Sequence, residues 1–194
     1  MDKPKLIVVG GPNGAGKSTL SYKYAAELNA EYVGADDIAH RLCPEDPYSV
    51  RIASSRAFIE RIKFVISEGT SLVVETTLAG KTFEQFIKLA SDSGYETTIV
   101  FIFLDSDDLC VKRVAQRVKN GGHDVPETDI RRRFKRTLAN FWDLYRNLVD
   151  NWIVAYNGGE YLQDVAIGSQ RTIAIRDEQL FQLFLNRGGL VEDE

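Results

Sequence analysis

The sequence predicts an α/β fold in which a five-stranded parallel sheet carries helices on both faces. Three observations predict it. Short apolar, β-branched runs alternate with amphipathic stretches through the first 156 residues, the order that strand–helix–strand units impose. Glycines stand where the helical patterns should stop, at Gly69 and Gly94. Hydrophobic residues make up 44% of the 194 positions, enough for a chain of this size to hide roughly 70% of its unfolded surface. The expectation is one domain over residues 1–194, with a small lid at about 117–133 and a C-terminal hairpin and helix at about 160–187.

Residues 5–9 form a β-branched run that reads as a buried strand ending at Gly10-Gly11. A helix follows over 16–28, then a short strand over 32–35, closed by Asp36-Asp37. From 48 to 67, Ile52, Phe58, Ile59, Ile62, Val65 and Ile66 recur at helical spacing. Residues 71–75 give the third strand, 82–93 an amphipathic helix, and 97–104 the most strand-like run in the chain. A helix over 109–118 leads into the loop KNGGHDVPE at 119–127. A long helix over 128–149 carries Ile130, Phe134, Leu138, Phe141 and Tyr145 on one face, and 152–156 is the fifth strand. Residues 165–167 and 172–175 are suited to pair as a hairpin around Gly168-Ser169, a last helix spans about 177–186, and the tail from Gly188 reads as frayed. Trp142, Trp152 and the Phe-rich C-terminal helix read as packing.

The net charge of −4 argues against a general nucleic-acid binder. The charge is uneven, however. From Lys112 to Arg136 nine Lys or Arg stand against three Asp or Glu, a local +6 that leaves about −10 for the rest. A basic segment inside an acidic chain points to a local anion site. The two cysteines, Cys43 and Cys110, lack metal-ligand spacing and read as reduced thiols. No run approaches the roughly 20 apolar residues that span a bilayer, so the expectation is a cytoplasmic protein without a membrane partner.

Gly11-Pro12-Asn13-Gly14-Ala15-Gly16-Lys17-Ser18 matches G-x-x-x-x-G-K-[ST] at every fixed position, between a buried strand and a helix. Glycines let backbone N–H groups curl around phosphate oxygens. The helix that opens at Lys17, Ser18 and Thr19 turns its positive end to the same phosphates. Lys17 adds a point charge, and Ser18 offers a hydroxyl to Mg²⁺, which keeps most of its other ligands as water and phosphate. The sequence therefore predicts a P-loop that binds ATP with Mg²⁺. Transporter-type ATPases need an LSGGQ-like signature and GTPases an Asn-Lys-x-Asp motif, and the chain has neither. Small kinases remain.

Three further signals bear on chemistry. Asp36, beside Asp37, follows the second strand, where a carboxylate accepts a proton from an attacking hydroxyl or helps hold Mg²⁺; capping the next helix is the plain alternative. Glu75 tips the third strand ahead of Thr76-Thr77, placed to bind a substrate hydroxyl or to order a metal-bound water. Arg113 and Arg117 share a helix face, and Arg131-Arg132-Arg133 follow the glycine-hinged loop, as a phosphate-closing lid requires. The helical wheel turns Arg132 and Lys135 away from the apolar stripe and so to solvent, and favours Arg117, Arg131 and Arg133. His123 in the loop is a candidate substrate contact.

The combination GPNGAGKST, GADDIA, VVETTLAG and RVAQRVKNGGHDVPETDIRRRF resembles the zeta-toxin-like P-loop kinases, in particular their short members labelled ABC-type ATPases. The resemblance covers roughly residues 5–157. It implies an adenylate-kinase-like fold and ATP- and Mg²⁺-dependent phosphorylation of a hydroxyl on a UDP-activated amino sugar, with an antitoxin protein as partner. On this resemblance Asp36 falls on the general base, Glu75 and Thr77 on the substrate-contacting strand end, and Arg117 with one of Arg131–Arg133 on the phosphate-binding arginines. The toxins carry an arginine shortly after Glu-x-Thr, where this chain has Leu78-Ala79-Gly80-Lys81. The expected function is thus an ATP-dependent kinase of a small-molecule hydroxyl. An NTP-hydrolysing switch with a protein partner and a kinase of nucleic-acid ends are the alternatives.

Overall fold

The computed structural model describes residues 3–170 and 172–191. Strands β1 (Lys5–Gly10), β2 (Glu31–Gly34), β3 (Leu72–Thr76), β4 (Glu96–Phe103) and β5 (Asn151–Tyr156) pair in parallel, in the order β2-β3-β1-β4-β5. Helices α1 (Lys17–Glu27), α2 (Ala35–Leu42), α3 (Arg51–Ser67), α4 (Glu84–Asp92), α5 (Asp107–Lys119) and α6 (Glu127–Asp143) connect them on both faces. The chain leaves β1 to one side for β2 and β3 and then crosses to β4 on the other, so the carboxyl ends of β1, β3 and β4 open on one crevice. Leu6, Val8, Leu72, Val73, Val74, Ile99, Phe101 and Phe103 on these central strands are fully buried.

The sheet has seven strands, not five. β6 (Gln163–Ser169) runs back along β5, and β7 (Ile173–Ile175) pairs with β6, both antiparallel. The connection after Tyr156 is too short for a crossover helix, so the returning strand can pair only antiparallel. Val165 and Ala166 are fully buried there. The expected hairpin is present, with Ile167 opposite Ala174, but it extends the main sheet.

Three boundaries also differ from expectation. Helix α2 went unread, although Asp36-Asp37 in its first turn and His40-Arg41 in its last match the helix dipole. Helix α6 stops at Asp143 instead of reaching 149. A 3-10 turn at Tyr145–Asn147 tightens the chain there, and the buried Tyr145 donates its hydroxyl to the Gly80 carbonyl at 2.6 Å. The tail is ordered through Val191: helix α7 (Glu178–Gly188) ends on left-handed Gly189, Leu190 N–H donates to Leu185 O, and Trp142 Nε1 donates to Val191 O. Residues 192–194 of the tail expected to fray lie outside the described residues.

The aromatic residues pack as expected. Phe101 stacks on Phe141 at 4.3 Å, and Trp142, Trp152, Phe181 and Phe184 meet edge-to-face around them, which clamps α6 and α7 to the sheet. Cys43 and Cys110 are both free thiols. Among the described residues no helix is long and apolar enough to cross a membrane.

Candidate active site

The loop between β1 and α1 has the backbone of an anion cradle. Gly11, Gly14 and Gly16 all adopt positive φ. Gly11 also has no room for a side chain: a Cβ there would stand 2.2 Å from the Ile102 carbonyl oxygen on β4. Gly16, left-handed, precedes α1 with no side-chain cap and no acidic residue in the first turn, so the N–H groups of Lys17, Ser18 and Thr19 are left for an incoming anion. Ala15 N–H donates back to the Pro12 carbonyl, and Asn13 and Ala15 are buried. The loop is clamped by two later segments of the chain. Asn157, just past β5, donates Nδ2 to the Ala15 carbonyl at 2.8 Å. Arg113 on α5 sets its Cβ about 3.2 Å from where a Gly14 Cβ would lie, so its stem supports the loop. Asn157 went unread in the sequence because the contact joins residues 142 positions apart.

Lys17 is 7% exposed and donates Nζ to the Pro12 carbonyl at 3.0 Å. Burial lowers its pKa, while Glu75 and Asp36 oppose the shift. Ser18 Oγ donates to Glu75 Oε1 at 3.2 Å, and the Tyr32 hydroxyl donates to Oε2 at 3.1 Å. The structure thus joins the first motif to the strand-tip acid 57 residues on. This pair fits Mg²⁺: a hydroxyl and a carboxylate beside a phosphate cradle suit a small hard cation that keeps phosphate and water as its remaining ligands. Among the described residues no cluster of three or more His, Cys, Asp or Glu forms an all-protein metal cage.

A cleft of about 590 Å³ opens beside the loop. Lys17, Ser18, Asp36, Glu75, Thr77, Arg117, His123 and Arg133 all line it, so these sequence-predicted residues converge, whereas Arg113, expected at the nucleotide, does not line the cleft and instead packs its stem on the loop. Asp36 lies in the first turn of α2 and caps nothing, since the N-cap is Gly34 without a side-chain bond. Its carboxylate is 58% exposed, with His123 Nε2 4.0 Å away. Its neighbour Asp37 is occupied by the Tyr22 hydroxyl at 2.5 Å. Thr77 offers its carbonyl to Thr137 Oγ1 on α6 at 2.8 Å, and Asn140 and Tyr145 hold the next carbonyls, Leu78 and Gly80. These bonds pin Leu78 in a left-handed conformation, φ 56°, with its side chain buried.

The basic segment divides. Arg117, near the end of α5, has Nε and Nη2 buried with no hydrogen-bond partner among the described residues. Gly121 and Gly122 close the helix end over it: Gly122 N–H donates to Arg117 O, and a Gly122 Cβ would stand 2.5 Å from Arg117 Cγ. Arg131, expected at the phosphates, is not in the cleft. It is held by Glu127, Asp107 and Asp108 at 2.8–3.0 Å, which keep its pKa raised and tie α6 to α5. Arg132, expected merely to face solvent, is exposed but lines the cleft with Arg133 and Arg136. Asp129, unread in the sequence, accepts from both Arg132 and Arg133 and sets their direction. Lys135 is exposed and outside the cleft, as expected.

A family model described as AAA domain matches residues 6–141. An uncharacterized protein of Haemophilus influenzae is 29% identical over 130 residues, 67% of this chain and 92% of that one. A cytidylate kinase of Saccharolobus islandicus is 27% identical over 95 residues, 44% of this chain, and the matched part is half of its own length. Among solved structures, the AvrRxo1-ORF1:AvrRxo1-ORF2 complex with sulphate ions aligns at a TM-score of 0.80 and 17% identity over 98% of this chain. The same pair with ATP aligns at 0.75 and 17% over 99%. This chain spans 66% of the AvrRxo1 chain it matches. The PezAT toxin-antitoxin system of Streptococcus pneumoniae aligns at 0.65 and 13% over all of this chain and 82% of the other. The likeness to the solved structures is one of fold.

Proposed function

The chain belongs to the AAA domain family, as a kinase-like P-loop domain, and from that premise we propose that it transfers the γ-phosphoryl group of ATP to a hydroxyl of a small molecule. One observation carries the reading: Lys17 is buried at the P-loop, and the half-buried Arg117, which lines the same cleft, keeps two buried guanidinium nitrogens without a partner among the described residues. Buried donors of a cation left unpaired are costly, and a polyphosphate relieves that cost. An ATP complex among the solved neighbours is consistent with this.

In the proposed reaction the P-loop N–H groups and Lys17 bind the β and γ phosphates. Ser18 and Glu75 hold Mg²⁺, which when bound neutralises phosphate charge. Asp36 accepts the acceptor's proton as its oxygen forms the new bond to γ-phosphorus and the bond to ADP breaks. Arg117, with Arg133 on the same cleft, draws the charge that spreads over the transferring oxygens. His123 and Thr77 border the acceptor. Residues 117–133 act as the lid, hinged at Gly121-Gly122. Arg132 and Arg136 on the outer wall favour an acceptor with an anionic group of its own, such as a sugar nucleotide of the kind zeta toxins use. The proposal sets this chemistry in the cytoplasm, in keeping with two unpaired thiols. It includes an antitoxin-like protein partner, as the two-protein systems among the neighbours suggest.

The test is γ-labelled ATP with a panel of hydroxyl compounds, nucleotide sugars included, run with wild type and Asp36→Asn. Label on a small molecule, reduced about 10²–10⁴-fold by Asp36→Asn with ATP affinity held within roughly threefold, supports the reading. Free phosphate released only with a protein partner supports a switch, and label on an oligonucleotide supports a nucleic-acid kinase; either sinks it.

A further inference from the structure

A glutamate at a strand tip turns about three side-chain torsions, and its carboxylate spreads over many orientations unless both oxygens are held. In Glu75 both are held, by donors from different elements: Ser18 of α1 on Oε1 and Tyr32 of β2 on Oε2. Tyr32 reaches the carboxylate by lying along its own strand. Tyr32 and Gly34 share a face of β2, and Gly34 is in register with Glu75 on β3. The phenol oxygen passes over Gly34, where a Cβ would stand 2.2 Å from it. Gly34 has φ −126° and ψ 133°, extended backbone open to any residue. The glycine therefore serves space, not conformation.

The phenol is also supported from behind. The Tyr22 ring lies against it with centroids 4.6 Å apart, and Tyr22's own hydroxyl is engaged with Asp37. An ionised carboxylate only accepts, so the Tyr32 hydroxyl is the donor in its bond to Glu75.

We infer that Tyr32 is a positioning residue: its hydroxyl, admitted by the space at Gly34, holds Oε2 of Glu75 and so aims Oε1 at Ser18 and the magnesium side of the nucleotide phosphates. In this role Tyr32 acts through Glu75. The inference rests on the proposed function only in naming Mg²⁺–ATP as the ligand.

Calorimetry of ATP binding, in excess Mg²⁺ and in EDTA, tests it without turnover. Wild type should bind ATP more tightly with Mg²⁺. Tyr32→Phe keeps the ring and removes one oxygen. It should hold the EDTA affinity within about twofold and lose about tenfold of the Mg²⁺-dependent gain, the scale of one hydrogen bond to a charged group. Gly34→Ala, which leaves the hydroxyl but displaces it, should lose the same gain. In a Glu75→Gln background Tyr32→Phe should add nothing further. A folded Tyr32→Phe with the full Mg²⁺ gain overturns the role of Tyr32 alone, as does full additivity with Glu75→Gln. A wild type that binds no ATP, or binds it without regard to Mg²⁺, overturns the functional reading and this inference together. If Gly34→Ala fails to fold, Tyr32→Phe and the double variant still decide.

Discussion

The P-loop and the arginine wall both gather positive charge, but they are built differently. At the P-loop the positive groups are backbone N–H dipoles and one buried side chain: Lys17 is 7% exposed, and Gly11 and Gly16 are closed in by Ile102 and Asn157. On the wall formed by α5, the loop after it and α6, the charge is on side chains that are mostly exposed, and three of the arginines, Arg131, Arg132 and Arg133, are already matched by acids of these helices. Arg117 belongs to the second region in sequence and to the first in environment. A count of basic residues therefore misjudges the anion site; what matters is which cations have been left without a partner.

Variants can break that comparison. Lys17→Ala should cut phosphoryl transfer by on the order of 10²–10³-fold while the fold persists, the scale for one preorganised donor. Unchanged transfer in a folded variant would remove the P-loop from the mechanism. Arg117→Ala should come next, lowering kcat more than it raises the Michaelis constant for ATP, because its contacts tighten as charge develops. Arg133→Ala should do less, since Asp129 already occupies its guanidinium. Equal effects of Arg117→Ala and Arg133→Ala in a kinetic assay would erase the distinction drawn between an arginine with buried, unpartnered nitrogens and one already paired.

Acidity sharpens the contrast further. Burial lowers the Lys17 pKa below 10.5, so between its folded value and 10.5 the unfolded chain binds more protons than the native one. Ligand-free stability should accordingly rise with pH across that window through this group. ATP binding should take up a proton there and weaken as pH climbs toward 10.5. Thermal melts of wild type and Lys17→Met, with and without ATP, read both slopes; identical slopes in the two proteins would disprove the coupling. The smallest effect is assigned to Arg131→Ala. Three exposed carboxylates hold that side chain outside the cleft, and transfer should stay within about twofold of wild type. A loss of tenfold or more would return Arg131 to the phosphate site.

How much of this was legible in the sequence depended on the distance over which each feature is encoded. The phosphate loop and the strands that bring in Asp36 and Glu75 are local patterns, and the structure brings all of them to one cleft. The two antiparallel strands were read as a hairpin, but their attachment to β5 was not, because nothing within 163–175 names its partner. The arginines defeated the helical wheel for a related reason. A wheel separates buried from exposed positions, and Arg132 is exposed, yet a cleft wall is exposed too. Arg131 was drawn off by Asp107 and Asp108, 24 and 23 positions earlier on another helix. The clamp from Asn157 and the pin on Leu78 by α6 are likewise contacts between distant segments, which no local spacing records.

The bond from Asn157 to the Ala15 carbonyl has a consequence for the order in which the molecule is made. The phosphate loop leaves the ribosome well before the side chain that fastens it, which lies 142 residues later. At about 5–20 residues per second, the loop waits roughly 7 to 30 s for its fastener. Until β5 docks, a nascent chain carries the whole glycine-rich motif without the tie that closes it. Nucleotide competence should therefore arrive all at once, and only after the chain through β5 has been made and has docked.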